Sequence, residues 1–373
     1  MVLAAIAILV VLIVVLLYLL VRRRQVSEAG PAVAGEPGAV DVDFTAGKGS
    51  RLAAAFAHAA TRLRSLLRGR DWRYALPWVL LLGETDGAKS RLLGGAGLNL
   101  PLGEPADPTP EEGQGCNFWF LDRGIVLDVS GDLLLRADGR SSDERSWRQL
   151  LALLQRYRPG RPLDGVVLAL PARDLLAPEP LPDRPPGGAL ADEKAAVLHG
   201  KLRQAQQQLG LSFPVYILLT GCEMLTGFAS FARELPEALR GGMLGWSSPY
   251  ALSTLYQADW TGEAFDGLTA GLYRAQIEIF GAGQQVAEPD ALFALPGELR
   301  KLEGPLRSWL GQIFKPSSYH EPLLLRGIYL CGAVAGEAGL TSAGSAGPAG
   351  SAGLAEAGAL DIPLRPAAGH RGE

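Results

Sequence analysis

The chain has 373 residues, 48% of them apolar, and a net charge of −4. That is enough for one large domain or two modest ones, and the acidic balance gives no electrostatic basis for binding nucleic acid. Its three cysteines lie far apart and its four histidines are isolated, so neither a disulfide framework nor a zinc site is expected.

Residues 2–21 form an uninterrupted apolar run, closed by Arg22, Arg23 and Arg24. About 20 residues of helix span a bilayer core. Basic residues after the run, with no small-residue cleavage site, argue for an anchor rather than a secretory signal. The positive-inside rule then places the arginines and the chain beyond them in the cytoplasm. Residues 1–24 therefore read as a single-pass anchor with a basic cytoplasmic flank.

Residues 25–76 read as a linker and then a basic amphipathic helix. Leu52, Phe56, Ala59, Leu63 and Leu66 recur at helical spacing, while Arg62, Arg64 and Arg68 line other faces. The apolar face has two possible partners, anionic lipid or the adjoining domain, and the pattern alone does not choose.

From residue 77 to 332 the chain reads as one α/β domain with a mainly helical C-terminal part. Short apolar strands are expected at 78–82 (WVLLL), 124–129 (GIVLDV), 163–170 (LDGVVLAL), 215–219 (VYILL) and 323–330 (LLLRGIYL). A helix begins near Lys89, and a second, marked by Trp147, Leu150, Leu151 and Leu154, stops before Pro159. A third carries Leu198, Leu202, Ala205 and Leu209 and ends at Gly210. Continuous apolar strands separated by amphipathic helices predict a parallel sheet covered on both faces. Residues 333–373 are Ala/Gly-rich without periodicity and read as a disordered tail.

Three motifs fall at strand ends. The first strand runs into Gly83-Glu84-Thr85-Asp86-Gly87-Ala88-Lys89-Ser90, one residue short of the P-loop pattern GxxxxGK[ST]. In such a loop backbone N–H groups at a helix N-terminus cradle phosphates. Lys89 would meet the β- and γ-phosphates, and Ser90 would ligate Mg²⁺. The second motif, Asp128-Val129-Ser130-Gly131, supplies an acid to the Mg²⁺ shell and a Gly131 backbone N–H to the γ-phosphate. The third, Thr220-Gly221-Cys222-Glu223, stands where GTPases carry [NT]KxD, whose acid reads the guanine edge. The candidate nucleotide residues are thus Gly83, Gly87, Lys89, Ser90, Gly131, Thr220 and Glu223, with Ser90 and Asp128 for Mg²⁺, and GTP or ATP as ligand.

The pattern is also degraded. Ala88 puts a Cβ where the backbone passes closest to phosphate, and Asp86 puts a carboxylate in the loop. Two like charges at about 4 Å cost roughly 4 kcal/mol at an effective dielectric near 20, comparable to the attraction a lysine supplies. Asp132 adds a further carboxylate, and Gly221 removes the lysine that covers the base. Phe118, Trp119 and Phe120 are expected in the core rather than stacked on a base, and Cys222 is expected as a small core residue.

With these motifs in place, the chain resembles the N-terminal cytoplasmic domain of the IcmF/TssM family of type VI secretion. The resemblance runs through Cys116-Asn117-Phe118-Trp119-Phe120 and Val126-Leu127-Asp128-Val129-Ser130-Gly131. It continues through Tyr157-Arg158-Pro159-Gly160-Arg161-Pro162-Leu163-Asp164-Gly165-Val166 and Phe213-Pro214-Val215-Tyr216-Ile217-Leu218-Leu219-Thr220, and closes at Arg326-Gly327-Ile328-Tyr329. It implies a bacterial inner-membrane scaffold that contacts a DotU-like (TssL) subunit and the cytoplasmic baseplate. The degraded loop suits an interaction surface without hydrolysis. The competing readings are a nucleotide switch that drives the complex, and a membrane-tethered P-loop protein unrelated to secretion. Family members carry further transmembrane helices and a large periplasmic region, and neither is found in these residues.

Overall fold

A computed structural model describes residues 48–67, 72–83, 88–95, 98–103, 105, 115–134, 144–176, 187–236, 239, 243–282, 286–316 and 321–333. The apolar run of 2–21, the linker, loop residues 84–87 and the tail beyond 333 lie outside that set. Among the described residues no helix is long and apolar enough to cross a membrane.

Seven strands form one sheet: β1 (Trp78–Leu82), β2 (Cys116–Leu121), β3 (Gly124–Val129), β4 (Gly165–Pro171), β5 (Pro214–Thr220), β6 (Gly245–Ser247) and β7 (Leu324–Leu330). Their order is β2-β3-β1-β4-β5-β7-β6. The five central strands are parallel, as the unbroken apolar runs predict. The expected all-parallel sheet is corrected at both edges, where β2 pairs antiparallel with β3 and β6 antiparallel with β7. Only Asp122 and Arg123 separate β2 from β3, a connection that permits a hairpin and no crossover. The three residues of β6 are too few to show a periodicity.

The two-residue period of a strand sorts the side chains between the two faces. Leu80, Leu82, Ile125, Leu127, Val166 and Leu168 enter the main core on one face. Their neighbours Leu81, Val126, Val167 and Ala169 turn to the other, where a small cluster forms with Leu93 and Trp119. Phe118 and Phe120 join the main core, so all three aromatic residues of β2 pack inside, as expected.

The main-face helices are α1 (Lys48–Leu66), α3 (Glu144–Tyr157), α5 (Gly187–Leu209) and α9 (Glu303–Ile313), each packed on the next. The short α2 (Ala88–Gly95) brings Leu93 to the second face. The chain is completed by α4 (Ala172–Leu175), α6 (Phe228–Glu234), α7 (Asp259–Gly281) and α8 (Pro289–Arg300). α3 ends two residues before Pro159, and α5 ends at Gly210, whose φ of 65° is the left-handed cap conformation.

The structure gives α1's apolar face to the domain. Leu52, Phe56 and Leu63 are fully buried, and the Phe56 ring lies 5.0 Å from Phe118 and 5.5 Å from Tyr157.

Candidate functional site

The strand order changes side in the sheet at β1, which has β3 on one side and β4 on the other. In an open α/β sheet the crevice beyond the carboxyl ends of the strands at such a switch point is where ligands bind. Gly83 continues β1 into this crevice, and a Cβ built on it would lie 2.9 Å from Ala169 Cβ and 3.1 Å from Lys89 Cδ. Glycine is required here because the end of β1 presses against β4 under the lysine stem.

Lys89 stands in the first turn of α2 and is 4% exposed. Its ammonium donates to the Gly83 carbonyl at 2.9 Å and comes within 3.9 Å of Asp128 Oδ1. Asp128 is fully buried in β3, opposite Leu81 of β1. The two form a buried ion pair, with Lys89 carried on α2 and Asp128 on β3. Buried charges persist only when paired and hydrogen-bonded.

Ser130 and Gly131 lie just past β3 and are buried; the Ser130 N–H donates to the Gly115 carbonyl at 3.0 Å. The Ser130 hydroxyl is buried without a hydrogen-bond partner. Gly115, with φ 93°, sits under α1, where a Cβ would meet Leu52 Cδ2 at 2.6 Å. No motif pointed to Gly115, yet its contact with Leu52 of the apolar stripe connects α1 to the loop that carries Ser130. Beside them, burial and then the Asp128 charge push the Cys116 thiol up to about 12.

The structure thus brings together Gly83, Lys89, Asp128, Ser130 and Gly131. Gly87 lies outside the described residues, and so does the side chain of Ser90. Thr220 ends β5, one strand beyond β4, and adjacent strands are about 4.8 Å apart. Thr220 is buried, and Gly221 takes φ 72°, a conformation that costs any lysine placed there. The Glu223 Oε2 accepts the Ala333 N–H at 3.0 Å. The Cys222 N–H likewise donates to the Cys331 carbonyl, so the chain leaving β7 folds over the 221–223 turn. Cys222 is a fully buried core residue, as expected, and desolvation raises its thiol pKa.

Two other motifs singled out in the sequence prove structural. At the amino ends of β1 and β4, away from the crevice, the Arg158 side chain is fully enclosed and donates to Asp164 Oδ2 at 2.7 Å. The same oxygen accepts the Trp78 N–H at 2.7 Å, and Arg161 bonds the other at 2.7 Å. The guanidinium also lies over the Trp78 and Tyr74 rings, at 5.2 and 5.3 Å. Burial lowers its pKa, with Asp164 opposing. At the far edge Arg326 donates to the carbonyls of Ser248, Tyr250 and Ala251, which fixes the loop after β6. A Cβ on Gly327 or on Gly245 would strike the Tyr329 ring, at 2.6 and 2.2 Å.

Residues 140–360 match the family model described as the IcmF-related N-terminal domain. The matched range holds the Arg158 clamp, the 220–223 turn and Arg326, and begins after Lys89 and Asp128. The chain is 30% identical over 278 residues to the type VI secretion system component TssM1 of Pseudomonas aeruginosa, an alignment covering 71% of this chain and 24% of that protein. It thus spans about a quarter of the length of the curated relative it matches. No solved structure matches it.

Proposed function

The chain belongs to the IcmF-related family, and on that premise we propose that it serves a type VI secretion system as an inner-membrane scaffold subunit. In this reading the α/β domain is a P-loop, GTPase-like domain whose phosphate site has become part of an interaction surface. Fold alone does not carry function, so the reading rests on the site. The observation that carries it is the state of Lys89: the one cation of the motif is buried, bonded to the carbonyl of its own loop, and faces Asp128. A phosphate placed there would compete with Asp128 for an ammonium whose three N–H donors are already partly engaged. Support for the P-loop ancestry comes from the two motif strands, β1 and β3, lying side by side with both motifs at their carboxyl ends. The anchor at 2–21 and the arginines after it support the membrane placement, with the domain on the cytoplasmic side. The partners this role implies are a DotU-like (TssL) subunit in the same membrane and components of the baseplate.

A second reading, a nucleotide switch, is favoured by one observation, the partnerless Ser130 hydroxyl buried beside Asp128. Nucleotide with Mg²⁺ fits these residues in kind. Lys89 would meet the terminal phosphates, Asp128 and Ser90 would hold the metal, and the Gly131 N–H would face the γ-phosphate. Such a ligand would supply a terminal phosphate whose loss changes the charge of the crevice.

Isothermal titration of the full chain with GTP and with ATP, both with Mg²⁺, tests the choice. The scaffold reading expects no saturable binding below the millimolar range, and Lys89→Ala should restore secretion to a deletion strain as fully as the parent does. Micromolar binding that Lys89→Ala abolishes, together with lost secretion, would establish the switch instead.

A further inference from the structure

We propose that α7 pairs two copies of this chain, antiparallel and about a two-fold axis level with Ala275. The pairing is independent of the nucleotide and membrane readings above and involves α7 and α8 alone.

α7 buries one side on the domain through Phe265, Leu268, Leu272 and Ile279. Its outward side carries a second stripe, Asp266, Ala270, Tyr273, Ile277 and Phe280, all exposed. The steps between them alternate four and three residues. That alternation is the narrow heptad seam by which one helix packs on another, not the wider face that a domain core covers. Tyr273 is 52% exposed, Ile277 71% and Phe280 41%. α8 runs antiparallel beside the seam: Gln276 donates to the Leu292 carbonyl at 2.6 Å, and Arg300 bonds Asp266 and Thr269. Counted along the helices from those contacts, Phe293, 71% exposed, stands level with Arg274, and the exposed Gly297 with Ala270. The four large side chains present roughly 400 Å² of apolar surface, in the range of patches that mark protein contacts.

Register and charge identify the occupant as a second copy. In an antiparallel pair centred on residue 275, positions equally far on either side of it come level. Tyr273 then meets Ile277 of the second copy, and Phe280 meets Ala270. The Phe280 ring arrives over the smallest part of the surface, because Gly297 lies beside Ala270 and a Cβ built on it finds no atom within 4 Å. The Phe293 rings of the two copies approach one another beside the axis.

Arg274 and Glu278 are exposed on the flank of the seam away from α8. A two-fold axis normal to both helices keeps that flank on the same side in each copy. Arg274 of one copy therefore comes within about 3 Å of level with Glu278 of the other, and the contact occurs twice. From α8, the exposed Asp290 stands at about the height of Arg274 of the second copy, again opposite in sign. Glu263, which accepts from Tyr250, lies beyond the paired segment, and residues 283–285 between the two helices carry no charge. A parallel pair would instead set Arg274 against Arg274 and Phe280 against Phe280.

The test is sedimentation velocity on the full chain in a mild detergent, with variants at exposed positions. The parent is expected to dimerise in the micromolar range. Ile277→Asp should leave it monomeric. Arg274→Glu and Glu278→Arg should each weaken the dimer about tenfold, since each sets like charges across both contacts. An equimolar mixture of those two variants should regain the parent's dimer, because every facing pair is then opposite in sign. Only a contact between two α7 helices gives recovery on mixing. A parent that stays monomeric to about 100 µM overturns the proposal and leaves the seam to a helix of another protein. Association that Ile277→Asp does not change overturns it as well and places the contact outside α7. Charge variants that lose nothing, or that do not recover on mixing, overturn the antiparallel register and the proposal with it.

Discussion

Arg158 donates to Asp164 from a side chain with no solvent exposure, and that carboxylate also accepts the Trp78 N–H that opens β1. One carboxylate thus fixes the guanidinium, the first residue of the central strand and the turn leading into β4. The two arginines and the aspartate of the RPGRPLDG run meet in this clamp, which lies at the opposite end of the sheet from the crevice.

Removing the carboxylate leaves a buried guanidinium with aromatic faces but no counter-ion. Asp164→Ala is expected to cost about 3–5 kcal/mol, read as a lower urea midpoint with an unchanged slope. Arg161 is 55% exposed and shares the same carboxylate, so Arg161→Ala should stay within about 0.5 kcal/mol of the parent. Equal losses for the two would remove the case for a buried clamp.

Gly327→Ala places a Cβ 2.6 Å from the Tyr329 ring. Overpacking of this kind costs about 1–3 kcal/mol, and the ring is its source. The added change Tyr329→Leu should recover part of the loss in thermal unfolding. A double variant no more stable than Gly327→Ala alone would place the strain elsewhere.

Glu223→Ala removes the acceptor of the Ala333 N–H at an exposed position. A fall of about 1 kcal/mol is expected, with faster amide hydrogen exchange at Ala333 and its neighbours. Glu223→Gln keeps an acceptor oxygen and should behave almost as the parent. Unchanged exchange in the alanine variant would show that the carboxylate is not what holds the chain there.

Burial pushes the Cys116 and Cys331 thiols up to about 12 and Cys222 higher still. A thiol pKa raised on folding means that the unfolded chain releases its protons first. Stability should therefore be level below about pH 9 and fall as pH rises from there. Native protein at pH 8 should also react slowly with a thiol reagent, with all three groups appearing on denaturation. Rapid native labelling of Cys222 would contradict its place in the core.

The sequence by itself determined the elements whose signal is local. The apolar runs marked β1, β3, β4, β5 and β7, the Leu52-Phe56-Ala59-Leu63 stripe marked α1, and Pro159 and Gly210 marked where helices stop. Periodicity and backbone preference over a few residues are enough for these. The tertiary structure alone decided the partners: antiparallel β2 and β6 at the edges, the domain rather than lipid for α1's apolar face, and the Ala333 N–H for the Glu223 carboxylate. A stripe or a carboxylate has the same local pattern whatever covers it. What covers it here is set by contacts between residues as much as 110 positions apart in sequence.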